Sequence, residues 1–109
     1  MKKWEGLEEF KARVREWADK LDVEIKTISI RQMKNKWASY TKRNDLLIFN
    51  SELLDVDKKI ADYVIVHELL HFRVPNHGKL WKSLMRAYLG DYAELEGKLK
   101  TFSDKMSLD

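Results

Sequence analysis

All three histidines of the chain fall within eleven residues, in His67-Glu68-Leu69-Leu70-His71 and then His77. Four residues turn an α-helix by about 400°, so the imidazoles of His67 and His71 leave one face, a turn apart and roughly 6 Å along the axis. That spacing suits two nitrogen ligands of one tetrahedral zinc. Glu68 is offset from His67 by about 100°, which aims its carboxylate at a metal-bound water instead of the metal, the base position of a zinc hydrolase. The competing reading is a pair of satisfied core histidines with Glu68 paired to a lysine. It is costly, because two imidazoles and a carboxylate on an otherwise apolar helix lose hydration that only a metal or dense hydrogen bonding offsets.

The third ligand decides the weight of the motif. His77, six positions after His71 and beyond the Val74-Pro75-Asn76 break, leads. Its rivals are Asp91 and Glu94, acids on a following helix in the arrangement of two histidines plus a carboxylate. Metzincins share the His77 spacing but carry glycine where Val74 stands. With zinc bound, water loses its proton more readily and the scissile carbonyl is polarised, while Glu68 takes that proton and hands it to the leaving amine. Oxyanion support then falls to a tyrosine, an arginine or a backbone donor, with Tyr40, Tyr88 and Tyr92 unranked. The strand through Ala38, Ser39 and Tyr40 is a natural edge for an extended peptide substrate, or else an ordinary hairpin strand.

The elements that must position these groups are legible from periodicity. Trp4, Leu7, Phe10, Val14, Trp17 and Leu21 recur at helical steps and predict a core-packing helix from about Trp4 to Lys20. Two-fold patterning predicts a strand over Val23 to Gln32 with a bulge near Lys26-Thr27. Strands Trp37 to Thr41 and Leu46 to Asn50 follow, joined by the turn Lys42-Arg43-Asn44-Asp45. Asp57 to Phe72 is apolar on every side, which predicts a helix at the centre of the domain, ended by Pro75. A further helix runs from Asn76 or Gly78 to Gly90. Asp91 with Glu94 reads as the start box of a last one, with the stripe Tyr92, Leu95, Leu99, Phe102 and Met106. The expected fold is α+β: a small three-stranded sheet packed with an N-terminal helix, the buried motif helix and C-terminal helices, one domain over residues 1–109.

Composition bounds the function. A chain of 109 residues with 44% apolar and 36% charged residues is a globular domain too short for a large cofactor fold. The absence of cysteine confines metal ligation to His, Asp and Glu and suits an intracellular, cytoplasmic location. The acids of Trp4-Glu5-Gly6-Leu7-Glu8-Glu9 interrupt any signal-peptide apolar region, and no apolar run approaches a membrane span. One Gln and four Asn against abundant Lys and Glu match the bias of proteins from hot-living organisms. A net charge of +3 with interspersed signs does not by itself imply nucleic acid. The alternative function rests on Arg31, Lys34, Lys36, Lys42 and Arg43 around Trp37 and Tyr40, where bases could stack on the aromatics. Another is a purely structural zinc closed by a fourth protein ligand.

The residues from about Ile30 to Tyr92 resemble the minigluzincins, very small soluble zinc peptidases similar to the catalytic domains of gluzincin-type membrane peptidases. The resemblance is carried by Arg31 ahead of Lys36-Trp37-Ala38-Ser39, by Asp62-Tyr63, by His67-Glu68-Leu69-Leu70-His71, and by Asn76-His77 followed by Trp81. A related bacterial family has Gly at the place of Ala38 and Cys at that of Tyr40. The resemblance implies zinc on His67, His71 and His77, Glu68 as catalytic residue, and a peptide or protein substrate.

The segment 91–109 exceeds what that scaffold needs. Its apolar stripe must be covered, and the nearest apolar concavity is the substrate cleft, so Phe102, Met106, Leu108 and Asp109 are expected to form an inhibitory segment. Asp109 would bring carboxylate to the metal, in its own molecule or, by self-association, in a neighbour's. Minigluzincins are similar in being held as zymogens by their C-terminal segments. The competing reading is an amphipathic helix that completes the core.

Overall fold

The computed structural model describes residues 4–41, 43–74 and 78–102, together with Met106 and Leu108. In α1 (Leu7–Leu21) the expected stripe is buried through Phe10, Val14, Trp17 and Leu21, and the acids Glu8 and Glu9 in the first turn complement the helix dipole. Asp22 closes the helix in the left-handed region at φ 56°, and the Val23 amide donates back to the Ala18 carbonyl at 2.9 Å. That cap moves the first strand. The Val23 amide is committed to the helix end, and only from Thr27 does a neighbouring strand supply partners, so β1 is Thr27–Arg31 and not Val23 to Gln32. Val23 and Ile25 still pack on the core.

Strands β2 (Ala38–Thr41) and β3 (Leu46–Asn50) form the expected antiparallel hairpin, with Ala38 opposite Phe49 and Tyr40 opposite Leu47. Asp45 turns the chain at φ 50°, while Lys42 lies outside the described residues. β1 pairs with β3 in parallel, Ile28 opposite Leu47, which gives the order β1-β3-β2 and leaves β2 at an edge. Alternation puts Ile28, Ala38, Leu47 and Phe49 on one face, and all four are buried. Trp37 precedes β2 instead of opening it, its carbonyl accepting the Asn50 amide at 2.9 Å. A 3₁₀ turn over Ser51–Asp55, capped by Asn50 Oδ1, leads away from the sheet.

The central helix is α2 (Lys58–Leu70), started by Asp57, whose carboxylate accepts the Lys59 amide at 2.9 Å. Every residue from Ile60 to Leu70 is buried, because α1, α3 (Lys79–Leu89), α4 (Ala93–Phe102) and β2 all pack against this helix. Its C-terminus tightens into short-range bonds from the Phe72 and Arg73 amides to the Leu69 and Leu70 carbonyls, both 3.1 Å. It therefore ends two residues before the expected Phe72, with His71 as its cap; Pro75, Asn76 and His77 lie outside the described residues. Gly90 closes α3 at φ 72°, a conformation open to glycine. α4 begins at Ala93, later than the box at Asp91 implied, and the Glu94 carboxylate reaches forward to Lys98 at 3.2 Å.

The architecture is α+β, four helices on a three-stranded mixed sheet, with α2 at its centre. Among the described residues no helix is long and apolar enough to cross a membrane.

Candidate active site

The site is built on α2, and α2 is fixed to α1 by a polar clamp. Asp62 accepts hydrogen bonds from Arg13 Nε (2.8 Å), Arg13 Nη2 (2.6 Å) and the Trp17 indole (2.8 Å). A bidentate arginine sets direction as well as distance, so the clamp fixes the rotation of α2 and hence where its last turn points.

That last turn carries His67 and Glu68, 4% and 2% exposed, and the half-buried His71. The ring centroids of His67 and His71 stand 5.0 Å apart with planes at 69°. An imidazole centroid lies about 3.2 Å from a metal it ligates, so two on one tetrahedral ion would stand roughly 5 Å apart. The two rings therefore fit a shared zinc by separation and donor type. Glu68 Oε1 is 4.0 Å from His67 Nδ1, close enough for the carboxylate to serve the same small volume. Among the described residues, no three His, Asp or Glu side chains come together to hold a metal.

Aromatic rings enclose the pair. Trp81 meets His67 edge-on at 4.9 Å and stacks beside His71 at 6.4 Å. Tyr63, one turn before His67, meets it edge-on at 5.9 Å, and Tyr92 stacks on Tyr63 at 6.1 Å. The Tyr63 hydroxyl donates to Glu96 Oε2 at 2.8 Å, which ties α2 to α4. Burial first, and then that bond, push the Tyr63 hydroxyl far above its ordinary pKa, so it remains a neutral donor.

His67 opens on a cavity of ≈ 680 Å³ that is also lined by Trp37, Tyr63, Trp81, Arg86 and Tyr92. Met106 and Leu108 line the same cavity. Of the three tyrosines considered for oxyanion support, Tyr92 alone lines it. Tyr88 packs edge-on against Trp17 at 6.3 Å, and Tyr40 lies against Phe72 at 4.2 Å with its hydroxyl 3.4 Å from Asp45. Asp91 lines the cavity, whereas Glu94 is solvent-exposed beside Lys98. Ala38 is buried and Ser39 and Tyr40 are half-buried on the edge strand. Phe102 is 47% exposed and lines a different cavity with Arg13, Asp62 and Leu95. His77 and Asp109 lie outside the described residues. Of the two aromatics in the basic patch, Trp37 is buried and Tyr40 is half-buried against Phe72.

Sequence reasoning placed Tyr63, Trp81 and Trp37 in elements but not in the site. Tyr63 carried a signal, since it lies four residues before His67 and shares its helix face. Trp37 and Trp81 carried a signal only as part of the family resemblance, and packing between distant elements brings them to the cavity.

A sequence profile of the family described as YgjP-like, metallopeptidase domain, matches residues 1–102. An uncharacterized protein of Methanocaldococcus jannaschii is 34% identical over 64 residues, 56% of this chain and 58% of that protein, so the match spans little more than half of that relative's length. The fold is similar to the crystal structure of the metallopeptidase zymogen of Methanocaldococcus jannaschii jannalysin. The TM-score is 0.78 at 31% identity, covering 84% of this chain and 94% of that one. It is also similar to the metallopeptidase zymogen of Pyrococcus abyssi abylysin, with a TM-score of 0.77, 16% identity, and coverage of 89% and 97%; at that identity the likeness is one of fold.

Proposed function

The chain belongs to the YgjP-like metallopeptidase family, and from that premise we propose that it hydrolyses peptide bonds with zinc held by His67, His71 and His77 and with Glu68 as general base. The observation that carries this reading is the 5.0 Å separation of the His67 and His71 rings beside a carboxylate buried to 2% exposure, with His67 lining a cavity. When bound, zinc supplies Lewis acidity to a water and to the scissile carbonyl. Glu68 takes the proton of the attacking water and delivers it to the leaving amine. Tyr92 or Arg86, both at the cavity, donates toward the carbonyl oxygen as it gains charge. The β2 edge through Ala38, Ser39 and Tyr40 pairs with the backbone of an extended substrate.

The same reading has the C-terminal segment holding the enzyme latent. Met106 and Leu108 line the cavity that His67 faces, and both similar crystal structures are of zymogens. The protein is proposed to act in the cytoplasm. The test is metal analysis with peptidase assays. One zinc per chain is expected, lost in His77→Ala. Glu68→Gln keeps the zinc and abolishes hydrolysis, and ending the chain at Phe102 raises activity. Full zinc occupancy in His77→Ala together with its loss in Asp91→Ala would move the third ligand to Asp91.

A further inference from the structure

A histidine's place on a helix fixes where its Cβ points, but its second torsion is broad, so the helix alone leaves the plane of the imidazole open. Neighbouring rings close on both motif imidazoles. Trp81, on α3 and 5% exposed, reaches the two at once. Its indole stands at 79° to the His67 ring with centroids 4.9 Å apart, and lies at 29° to the His71 ring at 6.4 Å. Tyr63, 2% exposed and one turn back on α2, approaches His67 at 5.9 Å and 65°. These two enclosing rings are joined through Tyr92, which stacks on Tyr63 at 6.1 Å and 16° and meets Trp81 at 6.2 Å and 80°. His67, Tyr63, Tyr92 and Trp81 thus form a closed circuit of ring contacts drawn from α2, α3 and the approach to α4, and all four line one cavity.

We propose that Trp81, with Tyr63, is a positioning residue of the metal centre: ring packing holds the His67 and His71 imidazoles in a metal-ready orientation before zinc arrives. This rests on the reading that those two histidines carry the metal. With rings on two sides and 4% of its surface exposed, the His67 imidazole has few orientations open to it, so zinc has little rotamer freedom left to remove. His71 is half-buried with the same indole beside it, so one side chain serves both ligands. The Tyr63 hydroxyl is committed to Glu96 at 2.8 Å, so what Tyr63 offers His67 is its ring.

The test measures the zinc affinity of the full-length chain at neutral pH by competition with a chromophoric chelator, with zinc alone as the probe. Trp81→Leu removes the ring common to both imidazoles and should weaken binding roughly tenfold or more, the scale on which groups around a metal's ligands act. Trp81→Phe returns a ring to that position and should recover most of the loss. Tyr63→Leu should weaken binding as well, whereas Tyr63→Phe, which keeps the ring and loses the hydroxyl, should bind as the parent does. Val14→Ala, at a fully buried residue of α1 outside the circuit, should lower stability and leave affinity unchanged. In the zinc-free chain, carbon-13 relaxation of the His67 ring should show it rigid in the parent and in Tyr63→Phe but mobile in Trp81→Leu. Affinities are compared among variants with native circular dichroism, and if Trp81→Leu does not fold, the Tyr63 pair decides alone. Equal affinity in the parent, Trp81→Leu and Tyr63→Leu, or a matching loss in Val14→Ala, overturns the proposal and leaves the peptidase reading in place. The expected affinities in a chain that hydrolyses no peptide even when ended at Phe102 would overturn the peptidase reading and leave the positioning role standing. A parent that binds no zinc overturns both.

Discussion

Removing the Asp62 carboxylate tests whether the position of the motif helix depends on one polar clamp. In Asp62→Ala the Trp17 indole, on a residue only 7% exposed, loses its acceptor, a loss of about 1–3 kcal/mol for a buried donor left unsatisfied. Arg13 loses both bonds, but its side chain is 37% exposed and recovers water, so it adds only about 1 kcal/mol and not the 3–5 of a fully buried broken pair. The sum is about 3 kcal/mol, which for a domain of this size lowers the thermal midpoint by roughly 12–15 °C. Asp62→Asn keeps one acceptor for Trp17 and should cost about half as much. Urea denaturation followed by circular dichroism measures both. Because the clamp also fixes the rotation of α2, zinc affinity should fall in Asp62→Ala even well below the unfolding midpoint. A loss under about 1 kcal/mol, or an Asn variant as damaged as the Ala variant, would refute this accounting.

Phe10→Ala should destabilise by about 3–5 kcal/mol, since the ring is 1% exposed and meets Trp4 and Phe49 edge-on at 5.0 and 5.4 Å; chemical denaturation checks it. Tyr63→Phe should cost about 1 kcal/mol through loss of the Glu96 bond, and faster hydrogen exchange of α4 amides relative to α1 amides would report where. The bond from Lys58 holds the Glu9 carboxyl below its ordinary pKa of about 4.5. The stability it contributes is present above that value and lost as pH falls through the depressed folded pKa, so Glu9→Gln should flatten the acid limb of the urea midpoint below about pH 5. An unchanged acid limb would remove Glu9 from the account.

The elements themselves were legible because periodicity reports burial. The stripe Phe10, Val14, Trp17, Leu21 and the all-round apolar run from Ile60 to Leu70 each had one physical solution, a half-buried and a fully buried helix. The paired histidines were legible because helix geometry alone puts His67 and His71 on one face, whatever surrounds them. Local sequence could not show that the Val23 amide would be taken by the end of α1, since a cap and a strand compete for the same donor and the neighbouring strand decides. Nor could it order the sheet β1-β3-β2, because the parallel pairing of Ile28 with Leu47 is a contact between segments nearly twenty residues apart. The polar and aromatic surroundings of the site followed the same division. Asp62 finds Arg13, Tyr63 finds Glu96, Trp81 covers His67, and Asn50 meets Met106 only when helices and strands from across the chain close on α2. Spacing along one element fixes what a helix or strand presents, and packing between elements decides what that face meets.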